Sequence, residues 1–240
     1  MQQAEVNDFS ARWPGSYVED RFRNDWLLEL GKRRDWANFA AEYPRFRMND
    51  DREVSCYALL LDQRAGKDVR DAALAAWLAQ RDADDGCGLL AAALIDGKQF
   101  TAADAWRKAR FAIDAGRPRA ARQAAALVGI APASAVGELS DSPARYLVKN
   151  TSASTRVGAE LTTLALMRMA STDAEAAAAQ LNDRWDRALP PDLAAWAWAS
   201  VGKQAAMKLQ PEAADYYQRA AQRAAKAGRD IDWPVDTLAW

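Results

Sequence analysis

Apolar residues recur at intervals of three and four along most of the chain, which is the spacing of one face of an α-helix. The first clear stripe covers 16–30. Ser16 and Glu19 have the spacing of a capping box at its start, and Gly31 is the expected stop. Asp35 precedes the next stripe as an N-cap. The pattern predicts short amphipathic helices joined by brief turns.

Helix ends repeat a pattern in which a glycine precedes a cation. A glycine adopts the left-handed conformation that ends many helices, and a cation interacts favourably with the last carbonyl groups. The pairs are Gly31-Lys32, Gly66-Lys67, Gly97-Lys98, Gly116-Arg117 and Gly228-Arg229. Their irregular spacing indicates stacked helix pairs and not a tandem array. Further helices are expected after Asp51, Asp68, Thr101 and Thr172, and over 190–209 and 211–227.

Composition supports the helical interpretation. The 240 residues include 55 alanines but only 12 glycines and 9 prolines, so helix formers dominate and breakers are scarce. Helix pairs this rich in alanine are too thin to bury their own apolar faces and must stack on their neighbours. We therefore predict an all-α fold, an α-solenoid or superhelix of short antiparallel helix pairs that forms one domain over 1–240.

The segment 129–154 is richer in proline, serine, glycine and threonine than its surroundings. Short helices are expected within it, around 133–139 and 144–148. The segment is a seam with two open interpretations, a hinge between two halves of the solenoid or an ordinary pair of connecting turns.

Seven tryptophans fall at contact positions of the predicted helices, where they fill gaps between alanine-rich layers. They are Trp26, Trp36, Trp77, Trp106, Trp185, Trp196 and Trp198. A buried core and a surface stripe that stacks on sugars are the two interpretations of this set. Trp196 and Trp198 cannot share one helical face, so at least one of them should be exposed or lie between layers.

Charge and residue types exclude several functions. The chain has no histidine, two cysteines and a formal net charge of -1. Without histidine, Ser-His-Asp and Cys-His catalysis are excluded, and two cysteines cannot complete a zinc site, so we expect neither metal nor cofactor. The balanced charge lacks the basic surface that nucleic acid requires.

Isolated carboxylates offer no catalytic pair. Glu42, Glu53, Glu138 and Glu160 lie in amphipathic or loop contexts, where a solvated face is expected. A glycosidase needs two carboxyl groups that face each other across a cleft, and the sequence does not place any two of them so. We assign no catalytic residue.

No stretch reaches the length of a membrane span, and the longest apolar stretches, 89–95 and 194–201, have the length of core helices. Residues 1–7 lack the basic and apolar regions of a signal peptide. The protein is therefore either cytoplasmic or had its signal peptide removed before Met1.

The order of residues in the first half of the chain is distinctive. The run RFRNDWLLELGKRRDWANFAAEYPRF covers 21–46, and DREVSCYALLLDQRAGKDVRDAALAAWL covers 51–78. Both resemble the N-terminal helical region of the soluble lytic murein transglycosylases. The segments at 97–116 and 154–178 continue the resemblance, which extends to about residue 220. The matching residues are Arg21, Phe22, Asn24, Leu28, Arg33 or Arg34, Asp35, Trp36, Cys56, Tyr57, Trp77, Leu78 and Cys87.

The resemblance implies a superhelix of short helices, called the U-shaped domain, followed in the family by a lysozyme-like catalytic domain. Family members act in the periplasm and cleave the MurNAc-GlcNAc bond of peptidoglycan to leave 1,6-anhydro ends. Their catalytic glutamate lies in a Glu-Ser stretch before a G-x-M-Q-x-M-P segment, and this chain has neither. The resemblance thus makes the chain a non-catalytic region whose partners are glycan strands and its own C-terminal catalytic domain.

The resemblance also gives the cysteines and the basic residues an interpretation. It implies a disulfide between Cys56 and Cys87, which suits a periplasmic location. The alternative is two buried free thiols. Candidates for a basic face toward the carboxylates of peptidoglycan are two clusters, with solvated helix ends as the alternative. They are Lys32, Arg33 and Arg34, and Arg107, Lys108 and Arg110.

A second function remains open. The segment PEAADYYQRAAQRAAKAGR at 211–229 resembles a tetratricopeptide-like repeat, which would make the chain a stand-alone helical scaffold for a protein partner. The ending DIDWPVDTLAW at 230–240 is apolar. It predicts either a helix that packs against a later part of a longer chain or a segment that docks back on the solenoid. A disulfide and a longer native chain would favour the transglycosylase interpretation.

Overall fold

The protein is described by a computed structural model that covers residues 3–149 and 151–228. Helices and the turns between them make up this part of the chain, which contains no strand. The all-α prediction is confirmed. The expectation for 230–240 falls on residues outside the described ranges.

The chain divides into two compact units, Met1–Thr101 and Ala102–Trp240. The boundary follows Thr101, whereas the predicted seam lies at 129–154. That segment belongs to the second unit. Its helices are joined by short turns at Gly129 and Ser142.

The first unit packs its helices around an apolar core, with a 3₁₀ turn after the third helix. The helices are α1 (Gln3–Arg12), α2 (Tyr17–Arg33), α3 (Trp36–Glu42), α4 (Arg52–Arg64), α5 (Arg70–Ala79) and α6 (Asp85–Asp96). The core contains Val6, Trp26, Leu27, Leu30, Phe39, Phe46, Val54 and Tyr57.

The N-caps of α2, α3 and α4 follow their sequence signals. Ser16 accepts a hydrogen bond from the amide of Glu19 at 3.1 Å, and the Glu19 carboxylate accepts one from the amide of Gly15 at 2.6 Å. Asp35 and Asp51 cap α3 and α4 through the amide of the third residue after each. Each of these caps satisfies an amide that has no partner within its own helix.

Two other predicted N-caps are displaced by one residue. Val69 and not Asp68 is the N-cap of α5, and the Asp68 carboxylate accepts a hydrogen bond from the amide two residues on. Asp173 and not Thr172 begins the helix at 174, where it accepts a hydrogen bond from the amide of Ala176 at 2.9 Å. The Thr172 hydroxyl instead donates to the carbonyl oxygen of Met169 in the preceding helix.

The second helix continues past its predicted stop. It ends at Arg33, and Arg34 adopts the left-handed conformation with φ of 61°. Gly31 stays helical and is buried against the ring of Tyr57. The contact is so close that a Cβ added to Gly31 would lie 2.3 Å from Cε2 of that ring. The prediction of a stop at Gly31 is wrong, since this glycine permits a close contact between helices. In the Gly97-Lys98 pair the left-handed residue is the lysine and not the glycine, with φ of 57°.

Replacing Gly31 with alanine is expected to lower the free energy of unfolding by about 1–3 kcal/mol. The Tyr57 ring is fully buried and its hydroxyl donates to Asp85 at 2.6 Å, so the ring cannot move aside freely. Urea unfolding followed by circular dichroism measures the loss. Gly137→Ala is the matched control, because a Cβ there meets nothing within 4 Å. An equal loss in both variants would contradict the packing role of Gly31.

The second unit is built around α14 (Pro191–Met207), whose residues are buried along most of its length. This helix packs against α11 (Arg156–Ala170), α12 (Ala174–Gln180) and α15 (Ala213–Ala227). A π-helical turn over Leu181–Trp185 links α12 to α13. The helices are α7 (Ala102–Asp114), α8 (Pro118–Ala126), α9 (Ile130–Asp141), α10 (Pro143–Lys149), α11 (Arg156–Ala170), α12 (Ala174–Gln180), α13 (Asp186–Ala188), α14 (Pro191–Met207) and α15 (Ala213–Ala227).

Both tryptophans of α14 are buried, and each serves a different side of the helix. The ring of Trp196 lies 5.5 Å from that of Phe111 on α7, whereas Trp198 stacks on Tyr216 of α15 and donates from Nε1 to Asp186 at 2.8 Å. They therefore lie between layers, as their spacing requires. Of the seven tryptophans, all but the partly exposed one at position 36 are buried, which favours the core interpretation over a sugar-stacking stripe.

Candidate functional site

A disulfide joins Cys56 in α4 to Cys87 near the start of α6. The two helices approach so closely here that a Cβ added to Gly86 would lie 2.6 Å from the carbonyl oxygen of Glu53. The amide of Cys87 donates to Asp84 Oδ1 at 2.7 Å, which caps α6. The disulfide therefore fixes the first turn of α6 against α4.

Charged and polar side chains surround this first turn. Arg34 Nη2 donates to Asp85 Oδ1 at 2.8 Å, and the Tyr57 hydroxyl lies 2.6 Å from Asp85 Oδ2 and 3.3 Å from Glu53 Oε1. The hydrogen bond from Arg34 holds the pKa of Asp85 below its ordinary value. Burial and the hydrogen bond to Asp85 raise the pKa of Tyr57. The cluster thus keeps a charged carboxylate and a neutral phenol, and it ties α2, α4 and α6 together.

The first basic cluster lies at the end of α2, where Lys32, Arg33 and Arg34 are all exposed. Arg33 pairs with Glu29 at 2.5 Å, and Arg34 pairs with Asp85. The charge of Lys32 contributes to the lowered pKa of Asp85. Lys32 and Arg33 are therefore exposed cations, although Arg33 shares its charge with Glu29, whereas Arg34 also fastens α2 to α6.

The second basic cluster lies on α7 and is mostly covered by protein. Lys108 and Arg110 are only 3% and 8% exposed. Arg107 is partly buried, with its guanidinium 5.9 Å from the centre of the Phe111 ring. A glycan strand cannot contact Lys108 or Arg110 in this arrangement, because both side chains lie below the surface.

Arg110 belongs to a partly buried charge network, which we call the α7–α11 network; Arg156, at its edge, has a side chain that is 44% exposed. It donates to Glu160, and Arg156 Nε donates to the other oxygen of the same carboxylate at 3.0 Å. Arg156 Nη2 also donates to Asp192 Oδ2 at 2.7 Å, and the Arg110 guanidinium lies 5.3 Å from the Trp196 ring. Two cations and two carboxylates balance one another. The network is suited to joining helices, since its charges are already paired.

A second buried ion pair lies in the first unit. Arg23 donates to Glu42 and, at 2.5 Å, to Glu19. Both Glu42 and Glu160 were expected on solvated faces, yet they are 6% and 1% exposed. That expectation is wrong because an arginine from another helix meets each carboxylate, which makes burial possible.

A surface cleft of about 340 Å³ opens where α9 ends and α10 begins. Tyr146 at its base is buried, and burial together with the charge of Glu138 raises the pKa of its hydroxyl. The sequence predicts only a seam in this region, because a cleft between two helices leaves no local signal in the sequence. Its lining is Glu138, Asp141, Ser142, Arg145, Tyr146 and Lys149.

Metal binding and membrane spanning receive no support from the described structure. No group of three or more histidine, cysteine, aspartate or glutamate side chains in residues 3–149 and 151–228 could hold a metal ion. Within the same ranges, every helix is too short or too polar to cross a membrane.

The helical fold is that of the soluble lytic transglycosylases. The whole chain superposes on 43% of an inactive mutant of lytic transglycosylase Slt from Pseudomonas aeruginosa, with a TM-score of 0.60 and 20% identity. It also matches a 70-kDa soluble lytic transglycosylase in complex with bulgecin A, with a TM-score of 0.55, 20% identity, and coverage of 93% of this chain and 37% of that one. The chain thus spans less than half of either structure. No protein-family model and no curated protein matches it.

Proposed function

We propose that this chain is the helical, non-catalytic region of a periplasmic lytic transglycosylase and that it positions peptidoglycan strands for a separate catalytic domain. The observation that carries the proposal is the match of the whole chain to a 43% portion of Slt. The lack of a Glu-Ser stretch agrees with it, since the chemistry that leaves 1,6-anhydro ends would then belong to the rest of the enzyme.

The disulfide supports the proposed location. Disulfides persist in oxidising compartments such as the periplasm and are rare in the cytosol. Cys56 and Cys87 are the chain's two cysteines, and both are fully committed to the bond. This favours the transglycosylase proposal over a cytosolic helical scaffold.

The proposed contact with peptidoglycan is electrostatic. The peptide stems of peptidoglycan carry carboxylates, so an exposed pair of cations attracts them. Lys32 and Arg33 form such a pair at the end of α2. Because Lys108 and Arg110 are buried, we restrict the proposed contact to this first cluster.

The 240-residue chain is expected to co-sediment with purified peptidoglycan sacculi. The double variant Lys32→Gln and Arg33→Gln should bind about threefold more weakly or worse, because exposed charges each contribute a few tenths to 1 kcal/mol. The measurement is the bound fraction after centrifugation, repeated at several salt concentrations. Added salt should weaken the binding of the unmodified chain and narrow its difference from the variant.

The matched control is the double variant Lys67→Gln and Arg81→Gln, which removes two exposed cations elsewhere in the first unit. It should bind like the unmodified chain. If both double variants bound sacculi equally weakly, the binding would depend on the overall charge of the chain and not on Lys32 and Arg33. A chain that stays entirely in the supernatant would overturn the proposed positioning function.

A further inference from the structure

Large apolar side chains are exposed where the turn after α1 leads into α2, and we call Trp13, Tyr17, Val18 and Met48 the α1–α2 corner. Trp13 and Tyr17 are 55% and 68% exposed, and Val18 and Met48 are exposed as well. Trp13 thus differs from the tryptophans that fill the core. Exposed apolar groups that lie together mark binding surfaces, and tryptophan and tyrosine are enriched in them.

Hydrogen bonds hold the backbone of this corner in place. The Ser16 hydroxyl donates to the carbonyl oxygen of Trp13 at 2.7 Å. The carboxylate of Asp20 is buried and accepts hydrogen bonds from the amides of Arg47 at 3.0 Å and Met48 at 2.7 Å. These bonds fasten the segment that carries Met48 to the start of α2. A surface on fixed backbone binds a ligand at a lower entropic cost than a surface on a mobile loop.

The charged side chains around the corner already have partners. Arg21 lies 3.7 Å from Asp50. Arg47 donates to the carbonyl oxygen of Ser16 at 3.4 Å, and its Nε lies 4.0 Å from Asp20 Oδ1. A strongly charged ligand would have to displace one of these partners, whereas a neutral ligand would not. The corner is therefore suited to an uncharged group that has an apolar face.

The exposed face of α2 joins this corner to the basic cluster at the other end of the helix. Tyr17, Arg21, Asp25 and Lys32 are all exposed, and at 3.6 residues per turn they lie within an arc of about 80°. The helical rise places Tyr17 and Lys32 about 22 Å apart along the axis. A ligand that contacts both ends of this face must therefore be an extended chain.

We propose that a glycan strand lies along this face of α2, with sugar rings against Trp13 and Tyr17 and the carboxylates of its peptide stems at Lys32 and Arg33. This inference rests on the proposed function and adds an aromatic contact to it. A sugar ring presents C–H groups on its faces, which bury apolar area against an aromatic ring. Its hydroxyl groups need polar partners, and the two charged side chains between the ends of the face supply donors and acceptors.

The test is a titration of the ¹⁵N-labelled 240-residue chain with chitotetraose, a neutral β-1,4-linked tetramer of N-acetylglucosamine. We expect saturable chemical shifts in the indole N–H of Trp13 and in the amides at the start of α2. Because the probe carries no charge, added salt should leave its affinity unchanged. The absence of saturable shifts at millimolar concentrations would overturn the proposal.

Paired variants identify the kind of contact. Trp13→Ala with Tyr17→Ala should bind chitotetraose about tenfold more weakly or worse. Trp13→Leu with Tyr17→Leu should lose nearly as much, because leucine is apolar but has no ring. The matched control, Met207→Ala with Leu209→Ala, removes two exposed apolar side chains of the second unit and should bind normally. Normal binding by the leucine variant, or an equal loss in the control, would overturn the stacking of sugars on these rings. If the corner variants fail to fold, the shifts of Trp13 in the unmodified chain decide.

Sacculus binding separates this inference from the proposed function. Lys32→Gln with Arg33→Gln should weaken binding to sacculi but not to chitotetraose, whereas the alanine variant of Trp13 and Tyr17 should weaken both. Sacculus binding that needs the cations but not the rings would overturn this inference and leave the proposed function intact. Sedimentation velocity tests the other occupant. If the alanine variant changed the chain from a dimer to a monomer and kept its affinity for chitotetraose, the corner would bind a second copy and the proposal would be wrong.

Discussion

Replacing Glu160 with glutamine is expected to lower the free energy of unfolding by about 3–5 kcal/mol. Glu160 is 1% exposed and accepts hydrogen bonds from both Arg110 and Arg156. Glutamine keeps the size of the side chain but removes its charge, so Arg110 becomes a buried cation without an anion. Urea unfolding followed by tryptophan fluorescence measures the loss, since Trp196 lies beside Arg110.

Glu29→Gln is the matched control for this effect. Glu29 pairs with Arg33 at the surface, where the side chains are 38% and 48% exposed. Its loss should change the free energy of unfolding by about 1 kcal/mol or less, because water solvates both charges once the pair is broken. Equal losses from the two variants would contradict a structural role for the buried pair.

A rescue variant separates lost charge from lost packing. Arg110→Met combined with Glu160→Met removes both partners and leaves Arg156 paired with Asp192. Buried ion pairs are often replaceable by apolar residues at little cost, so this double variant should be more stable than Glu160→Gln alone. Recovery would show that the cost arises from an unpaired Arg110.

Local signals in the sequence predicted much of the helical structure. Ser16, Asp35 and Asp51 cap their helices as expected, because capping involves only the next three residues. The stop at Gly31 failed for a different reason: the ring that covers it comes from Tyr57, on another helix. A local rule cannot reveal that a glycine is required by a contact with a distant residue.

The charged sites depended still more on tertiary structure. Arg110 and Glu160 are 50 residues apart, and nothing in either segment distinguishes a buried pair from two solvated charges. The same holds for Arg23 and Glu42. The sequence did identify the cations, but their burial depends on which helices meet. This is why one predicted basic cluster is exposed and the other is largely covered.

Loss of the disulfide is expected to lower the free energy of unfolding by about 2–5 kcal/mol. Cys56 and Cys87 are 31 residues apart, so the bond restricts a long loop of the unfolded chain, which the chain-entropy estimate values at roughly 3.7 kcal/mol. The bond also holds the turn in which Asp85 meets Arg34 and Tyr57. Urea unfolding with and without a phosphine reductant measures the loss.

The double variant Cys56→Ala and Cys87→Ala provides the control, because its stability should be low and independent of reductant. Thiol titration in denaturant without reductant should find no reactive thiol in the unmodified chain. Two reactive thiols would contradict the disulfide and remove its support for a periplasmic location. A different result would be a chain that has no reactive thiol but loses no stability when it is reduced. The disulfide would then be present without stabilising the fold, and the hydrogen bonds of Asp85 to Arg34 and Tyr57 would account for the position of α6.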